Sequence, residues 1–451
     1  MTSNRSLCIS LQLKEVMRTD LLHNIDEGFP YHLIEGHQSA TAKRDRIYNE
    51  ENTLLTMLVT AIQEDKSLKQ SVNIFKEVFE MKGKEIKKDE AIQLQSEQDE
   101  ENRSIAAGAP KKRGPRRLYA SRLAKSKGKE VSDNTAAYAK ARVRIDNTLV
   151  NKIFDYSADF KEMNGKKWQG RETFVTDGTY AQMQDTEELR KKYFVKEGDN
   201  AYPQLLLQAV LRQGSGQVHA FAIGTRHQSE LELIKPLIEK LPEGSLLLAD
   251  DLYSTYAVFC LIQKRGCHLI VPGKRDRSYR VIKKIAQSDE IAELCKPKNR
   301  PAWISKEQWK EFPATITMRR ISFPSPNDEQ KECVQYTTII DEKISAMEII
   351  LKYSTRWDIE ITIREIKTLM GINVIRSKTE DMAKKEITVA LTAYNMIRKI
   401  ISKSVEQTDF SPQSHFVQEC FEADKKLLVD KKGRIYHHWS SGRYGQAAQA
   451  D

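Results

Sequence analysis

Apolar residues recur at helical spacing at Leu54, Leu55, Leu58 and Ile62, and again at Leu68, Val72, Phe75 and Phe79. The two sets predict a pair of short helices joined by the polar turn Asp65-Lys66-Ser67, with Ser67 a candidate N-cap. Such a pair either packs as a hairpin or reads DNA, and the pattern leaves both open. Helical periodicity returns over 136–154 through Val143, Leu149, Val150 and Ile153. From residue 172 the texture becomes α/β. Residues 172–176 read as a short strand closing at Asp177-Gly178-Thr179. Strands at 204–211 and 218–223 flank Gly214-Ser215-Gly216, hence a hairpin. Residues 230–241 read as a helix with a potential kink at Pro236. The run Ser245-Leu246-Leu247-Leu248-Ala249 has the apolar continuity of a strand covered on both faces, and it ends in Asp250-Asp251. A helix over 255–264 and a strand over 268–271 follow.

Between residues 272 and 343 the pattern breaks. Pro297, Pro301, Pro313, Pro324 and Pro326 separate short β-like runs at 314–318, 321–323 and 334–340, which reads as an inserted, mostly β segment. Residues 352–367 then read as one helix with a buried stripe of Ile359, Ile363, Ile366 and Met370. At about 100° per residue, Tyr353, Arg356, Glu360 and Lys367 fall within roughly 60° of one another, beside that stripe. A carboxylate between two cations and a phenol suits a metal-binding acid whose neighbours grip an anionic substrate. The plainer alternative is an exposed helix face carrying the i,i+4 pair of Arg356 and Glu360. A further helix is expected at 384–402, and the tail ends in a basic, aromatic stretch at 436–444.

Composition narrows this picture. The chain of 451 residues is long enough for two to four domains and a large core. Its net charge of +10 and pI near 9.0 favour a polyanionic partner. The basic residues are not spread evenly: an acidic patch (Asp89, Glu90, Glu97, Asp99, Glu100, Glu101) precedes Lys111, Lys112, Arg113, Arg116 and Arg117. That run, broken by Gly114 and Pro115, reads either as a phosphate-neutralising DNA-binding linker or as a solvated tether. The six cysteines form no close pair, which argues against a zinc ribbon and for a reducing compartment. No apolar run reaches membrane-spanning length and the amino terminus lacks a signal-peptide core, so an intracellular, cytoplasmic protein is expected.

Three acids stand out by position. Asp177 and Asp250 close strands, where sites form in open sheets, and Glu360 lies on a later helix that could cover them. Hard divalent cations take such oxygen ligands, and a pair of Mg²⁺ ions serves phosphoryl transfer. Singly, each acid is as readily a turn or cap residue.

The spacing Tyr353-x2-Arg356-x3-Glu360-x6-Lys367 resembles the Tyr-Arg-Glu-Lys signature of bacterial DDE-type cut-and-paste transposases, the insertion-sequence family that includes composite-transposon transposases. The resemblance extends to Trp168-Gln169-Gly170-Arg171, to Asp177-Gly178-Thr179 with Met183, Asp185 and Thr186, and to Leu248-Ala249-Asp250. It continues through Arg300-Pro301-Ala302-Trp303 and Ala393-Tyr394-Asn395-Met396-Ile397-Arg398, and covers most of residues 45–400. The residue after the second family Asp is Asp251, where relatives often carry a non-acid, and Gln184 replaces a proline common before Asp185.

The resemblance implies an α/β fold: a ribonuclease-H-like catalytic core interrupted by a β-rich insertion, with helical N- and C-terminal regions. It implies a DNA-binding region over 1–105, a basic linker over 106–135 and a helical lead-in over 136–170. The core would occupy 171–272 and 346–405 around an insertion at 273–345, with a C-terminal region at 406–451. Asp177, Asp250 and Glu360 would hold Mg²⁺, for which Mn²⁺ substitutes. Tyr353, Arg356 and Lys367 would hold phosphates of double-stranded DNA, with Tyr336 the aromatic that stacks on an extruded base. The expected activity is cleavage at an element's inverted repeats and joining of the 3′ ends to target DNA, by a homodimer. A catalytically inactive DNA-binding repressor and a stand-alone nuclease are the competing readings.

Overall fold

The computed structural model describes residues 28–35, 37, 46–63, 65–76, 131–159, 167–193, 201–274, 277–325 and 328–405. Helices α1 (Tyr31–Glu35), α2 (Glu50–Ala61), α3 (Ala136–Arg144) and α4 (Asn147–Ala158) lead into the sheet. Strand β1 (Thr173–Gln182) is followed by α5 (Glu187–Lys192), and then by the hairpin β2 (Gln204–Arg212) and β3 (Val218–Thr225). Next come α6 (Glu230–Lys240), β4 (Leu246–Leu248), α7 (Tyr256–Lys264) and β5 (His268–Pro272). The segment expected as an insertion supplies β6 (Arg280–Ala286), β7 (Asp289–Cys295), α8 (Lys306–Glu311), β8 (Thr315–Ser325) and β9 (Asp328–Thr337). Helices α9 (Ala346–Ser354), α10 (Asp358–Leu369) and α11 (Glu380–Val405) complete the described chain.

All nine strands join one mixed sheet in the order β3-β2-β1-β4-β5-β9-β8-β7-β6. The first five form the ribonuclease-H-like core, with β3, β2 and β1 antiparallel and β4 and β5 running parallel to β1. The β-rich segment does not build a sheet of its own. It extends the core sheet, because β9 pairs antiparallel with β5 from Ile270↔Thr337 to Pro272↔Gln335.

Alternation along the strands sorts side chains onto two apolar layers. Val175, Leu246, Leu248 and Ile270 pack in the layer that contains α2, α4, α10 and α11. Phe174, Leu247, Leu269 and Val271 pack in the layer under α6 and α7. The three leucines of β4 are wholly buried, as the unbroken apolar run requires of a strand covered on both faces.

Several expectations needed adjusting. The helix expected over 136–154 is two, because Ile145 turns to extended backbone and Asp146 caps α4 by accepting the Thr148 N–H. Strand β1 runs five residues past Asp177 instead of ending there, since β2 pairs with it from Phe174 to Gln182. The helix expected over 352–367 is interrupted by a 3-10 turn at Thr355–Trp357. Strand β6 gave no periodic signal because it is an edge strand, exposed from Arg280 to Lys284. Of the N-terminal pair, the second helix is seen over 68–76, with Ser67 Oγ accepting the Gln70 N–H, and Phe79 lies outside the described residues. The first helix of the pair has no free face, since residues 53–60 are all buried.

Candidate active site

The site begins with strand register. Parallel pairing of β1 with β4 ends at Val175↔Leu248. Two residues further along each strand stand Asp177 and Asp250, so the same register carried forward places them side by side. Adjacent strands lie about 4.8 Å apart, and alternation turns both side chains to the face that carries Val175 and Leu248. Asp250 keeps extended backbone (φ −78°, ψ −173°), so the alternation reaches it. Helix α10 covers that face through Ile359 and Ile366, and its Glu360 stands near enough to Asp177 for its charge to act there.

The electrostatics reflect this proximity. Burial pushes the Asp177 carboxyl above the usual aspartate range, and the charges of Asp250 and Glu360 add to the rise. The Gly178 N–H, donated to Asp177 Oδ1 at 2.8 Å, and the Arg356 guanidinium pull the other way. Asp250 is also pushed up, by burial first and then by Asp251, against its bond from the Leu252 N–H at 2.9 Å and the charge of Arg356. Asp251 is exposed, so the two neighbouring acids occupy different environments. Neither caps α7, whose N-cap is Thr255 accepting the Val258 N–H.

The 3-10 turn places Arg356. Gln213, at the end of the β2–β3 hairpin, donates Nε2 to Thr355 Oγ1 at 2.6 Å and accepts from Lys352 Nζ at 2.5 Å, which pins the turn to the sheet. Arg356 is then held at 12% side-chain exposure, its Nη2 3.8 Å from Glu360 Oε1. Its Nε is buried without a hydrogen-bond partner. A nearly enclosed guanidinium with an unspent donor beside three acids is a ready grip for an anion. Tyr353 is placed differently from expectation. Its hydroxyl donates to the Ala249 carbonyl at 3.2 Å, next to Asp250, and burial pushes its pKa up to about 12. It therefore braces the end of β4. Lys367 is half-buried, seven residues beyond Glu360 and so roughly 10 Å further along the helix.

Residues 168–396, just over half of the chain, match the family model described as Transposase DDE domain. The chain belongs to the DDE transposases. Transposase InsG for insertion sequence element IS4 of Escherichia coli (strain K12) is 27% identical over 307 residues, 65% of this chain and 67% of that protein. Putative transposase InsZ of the same organism is 26% identical over 146 residues, 30% of this chain and 49% of that one. A solved synaptic complex of piggyBac transposase with hairpin DNA aligns with 94% of this chain and 82% of that chain, at a TM-score of 0.40 and 11% identity. That likeness is too slight to argue from.

Two residues of this transposase depart from the expected site. Tyr336 is fully buried in the sheet, donates its hydroxyl to the Lys274 carbonyl at 2.7 Å and packs near Arg277. It is a core residue, and the base-stacking role does not hold. A strand tyrosine at an inward position loses too much burial by turning outward. The other is Glu230, the first residue of α6, which helical pattern alone marks only as an acid at a helix start. Its carboxyl lies so close over Gly178 that a β-carbon there would sit 2.4 Å from Glu230 Cδ. Tyr253 donates to Glu230 Oε2 at 2.9 Å, and Gln208 Nε2 donates to both Tyr253 and Thr176 Oγ1 at 2.7 Å. Burial and the charges of Asp177 and Asp250 push Glu230 up against that bond. The sequence signal for it was Gly178, the one residue of Asp177-Gly178-Thr179 able to leave room. Lys111, Lys112, Arg113, Arg116 and Arg117 lie outside the described residues.

Proposed function

We propose that this transposase binds the terminal inverted repeats of an insertion sequence, hydrolyses phosphodiester bonds there and joins the freed 3′ ends to target DNA. In this reading Asp177, Asp250 and Glu360 hold divalent cations, Mg²⁺ or Mn²⁺, and a homodimer works on double-stranded DNA at the nucleoid. Residues 1–105 and the basic linker at 106–135 serve end binding, and 406–451 serve subunit contact. The observation that carries it is the β1–β4 register, which brings two aspartates abreast, with Glu360 of α10 and Arg356 of the turn before it close by.

The donor set fits a hard cation in chemistry: three carboxylates, oxygen only, two of them raised above the usual aspartate range by burial first and by neighbouring acids second. Among the described residues no three such side chains already converge on one point. When bound, the ions would activate a water and neutralise charge on the leaving oxygen. Arg356 offers its unspent Nε–H to a phosphate oxygen beside the acids. Tyr353 holds the Ala249 carbonyl and so the direction of Asp250. Lys367 meets a second phosphate further along the strand. No helix among the described residues is long and apolar enough to cross a membrane.

The test is a Mg²⁺-dependent cleavage assay on DNA carrying the terminal repeats. Asp177→Asn and Glu360→Gln should each abolish cleavage, since one member of a catalytic unit carries most of its rate, while leaving end binding nearly intact. Cleavage retained by either variant would remove that residue from the site. Wild-type protein that binds the repeats but never cuts them would instead be the repressor.

A further inference from the structure

Away from the acids, a cavity of about 460 Å³ lies between the N-terminal helical pair, α3, the end of α10 and α11. That is within the range of about 300–1,000 Å³ usual for small-ligand sites. Its walls are apolar, with Met57, Leu68, Met370, Ile372 and Val389 among them. Its charged groups are unbalanced. Lys66, Arg142, Arg376 and Lys378 line it against a single acid, Glu386. That acid's oxygens take neutral donors, Oε1 the Arg376 backbone N–H at 3.0 Å and Oε2 the Ser377 N–H at 2.9 Å and its hydroxyl, and its single charge, which acts on Lys66, is outnumbered.

The cations have little else to neutralise them. Lys66 donates Nζ to the carbonyls of Leu369 and Met370, closing α10 without meeting an acid. Burial, then repulsion from Arg376, pulls its pKa down to about 8. Arg142 rests 5.9 Å from the Tyr138 ring centroid with its Nε buried and unpartnered. Arg376 and Lys378 are exposed at the mouth. Four cations crowded round an apolar hollow suit a ligand with an anionic end and a flat apolar body.

We propose that this cavity is a nucleotide-binding site, taking a phosphate at Arg142, Arg376 and Lys378 and a base between Met57, Leu68, Met370 and Ile372. Its ligand is either a free nucleotide or one nucleotide unit of DNA; the chemistry is the same. The site does not depend on the metal reading, because it shares no residue with the acids.

Calorimetry on the full chain tests it with three probes: inorganic phosphate, a deoxynucleoside 5′-monophosphate and a short single-stranded oligonucleotide. The monophosphate should bind about tenfold or more tighter than phosphate, a gain of about 1.4 kcal/mol from the base. Arg376→Ala/Lys378→Ala, both on exposed positions, should lose about tenfold on the nucleotide while keeping the fold. Ala390→Leu, checked for folding, should fill the hollow and reduce nucleotide binding while sparing phosphate. Competition by the oligonucleotide assigns the site to DNA, and lack of it to a free nucleotide. Phosphate binding as tightly as the monophosphate, or a double variant with unchanged affinity, overturns the proposal.

Discussion

At Asp250 and Asp251 two adjacent carboxylates meet different fates. Alternation from Leu246 and Leu248 turns Asp250 toward Asp177, while Asp251 begins a 3-10 turn in solvent. Asp250→Asn should therefore be inactive, and Asp251→Asn should stay within about tenfold of wild type, equivalent to about 1.4 kcal/mol. Steady-state cleavage by folded proteins decides it, and the reverse ranking would move the site by one residue. Gly178 makes a second case. A methyl there displaces the Glu230 carboxyl from its bond with Tyr253, so Gly178→Ala should cost about 1–3 kcal/mol in urea unfolding. Adding Glu230→Ala should return about half of that loss, a coupling outside the range of independent sites. Strictly additive effects would show that the two do not press on each other. Asp250 stands out in sequence at the end of an apolar run and Glu360 by its four-residue spacing from Arg356, whereas Asp177 sits inside a strand that the sequence pattern ended too early. Glu230 was not legible, since its meaning depends on which strand α6 crosses.

At the scale of the element, α10 is the part whose rotation matters most, because it carries Glu360. Its other side is locked by Glu365, a buried carboxylate paired with Arg398 of α11 and bonded to the Tyr394 hydroxyl. The stretch Ala393–Arg398 that resembles the family is thus structural. Asn395 closes it onto β3 by accepting the Val218 N–H at 2.9 Å and donating to the Val218 carbonyl at 2.9 Å. Removing one partner strands a buried charge, so Glu365→Ala or Arg398→Ala should cost about 3–5 kcal/mol. Ile361→Ala, on the exposed side of the same helix, should stay within about 0.5 kcal/mol. Equal losses in denaturant melts would refute this anchoring. Uniform 100° spacing anticipated the face shared by Arg356 and Glu360. It missed the 3-10 turn, because what breaks the helix is Gln213, 142 residues away in sequence.

Across the whole molecule, the sheet concentrates like charge at one edge of its β1–β4 seam, and this sets a pH signature. Asp177, Asp250 and Glu230 all have pKa values raised in the fold. A raised carboxyl binds its proton more tightly folded than unfolded, so its stabilising effect is complete below the unfolded value, about 3.9–4.3, and is lost as pH climbs through the folded one. Asp146 and Asp185 are lowered and act in the opposite sense, so total stability does not isolate the site. The difference between wild type and Asp177→Asn does. Without divalent cations the two should melt together near pH 3, and the variant should become the more stable as pH approaches 7. Mg²⁺ at pH 7 should then raise the wild-type melting temperature by mass action and leave the variant nearly unmoved. A variant that gains no stability between pH 3 and pH 7 would mean that the carboxylates are not crowded. A Mg²⁺ shift of equal size in both proteins would mean that the ion binds elsewhere. Because the readout is melting and not turnover, it separates a site that holds charge from one that merely lies near the chemistry.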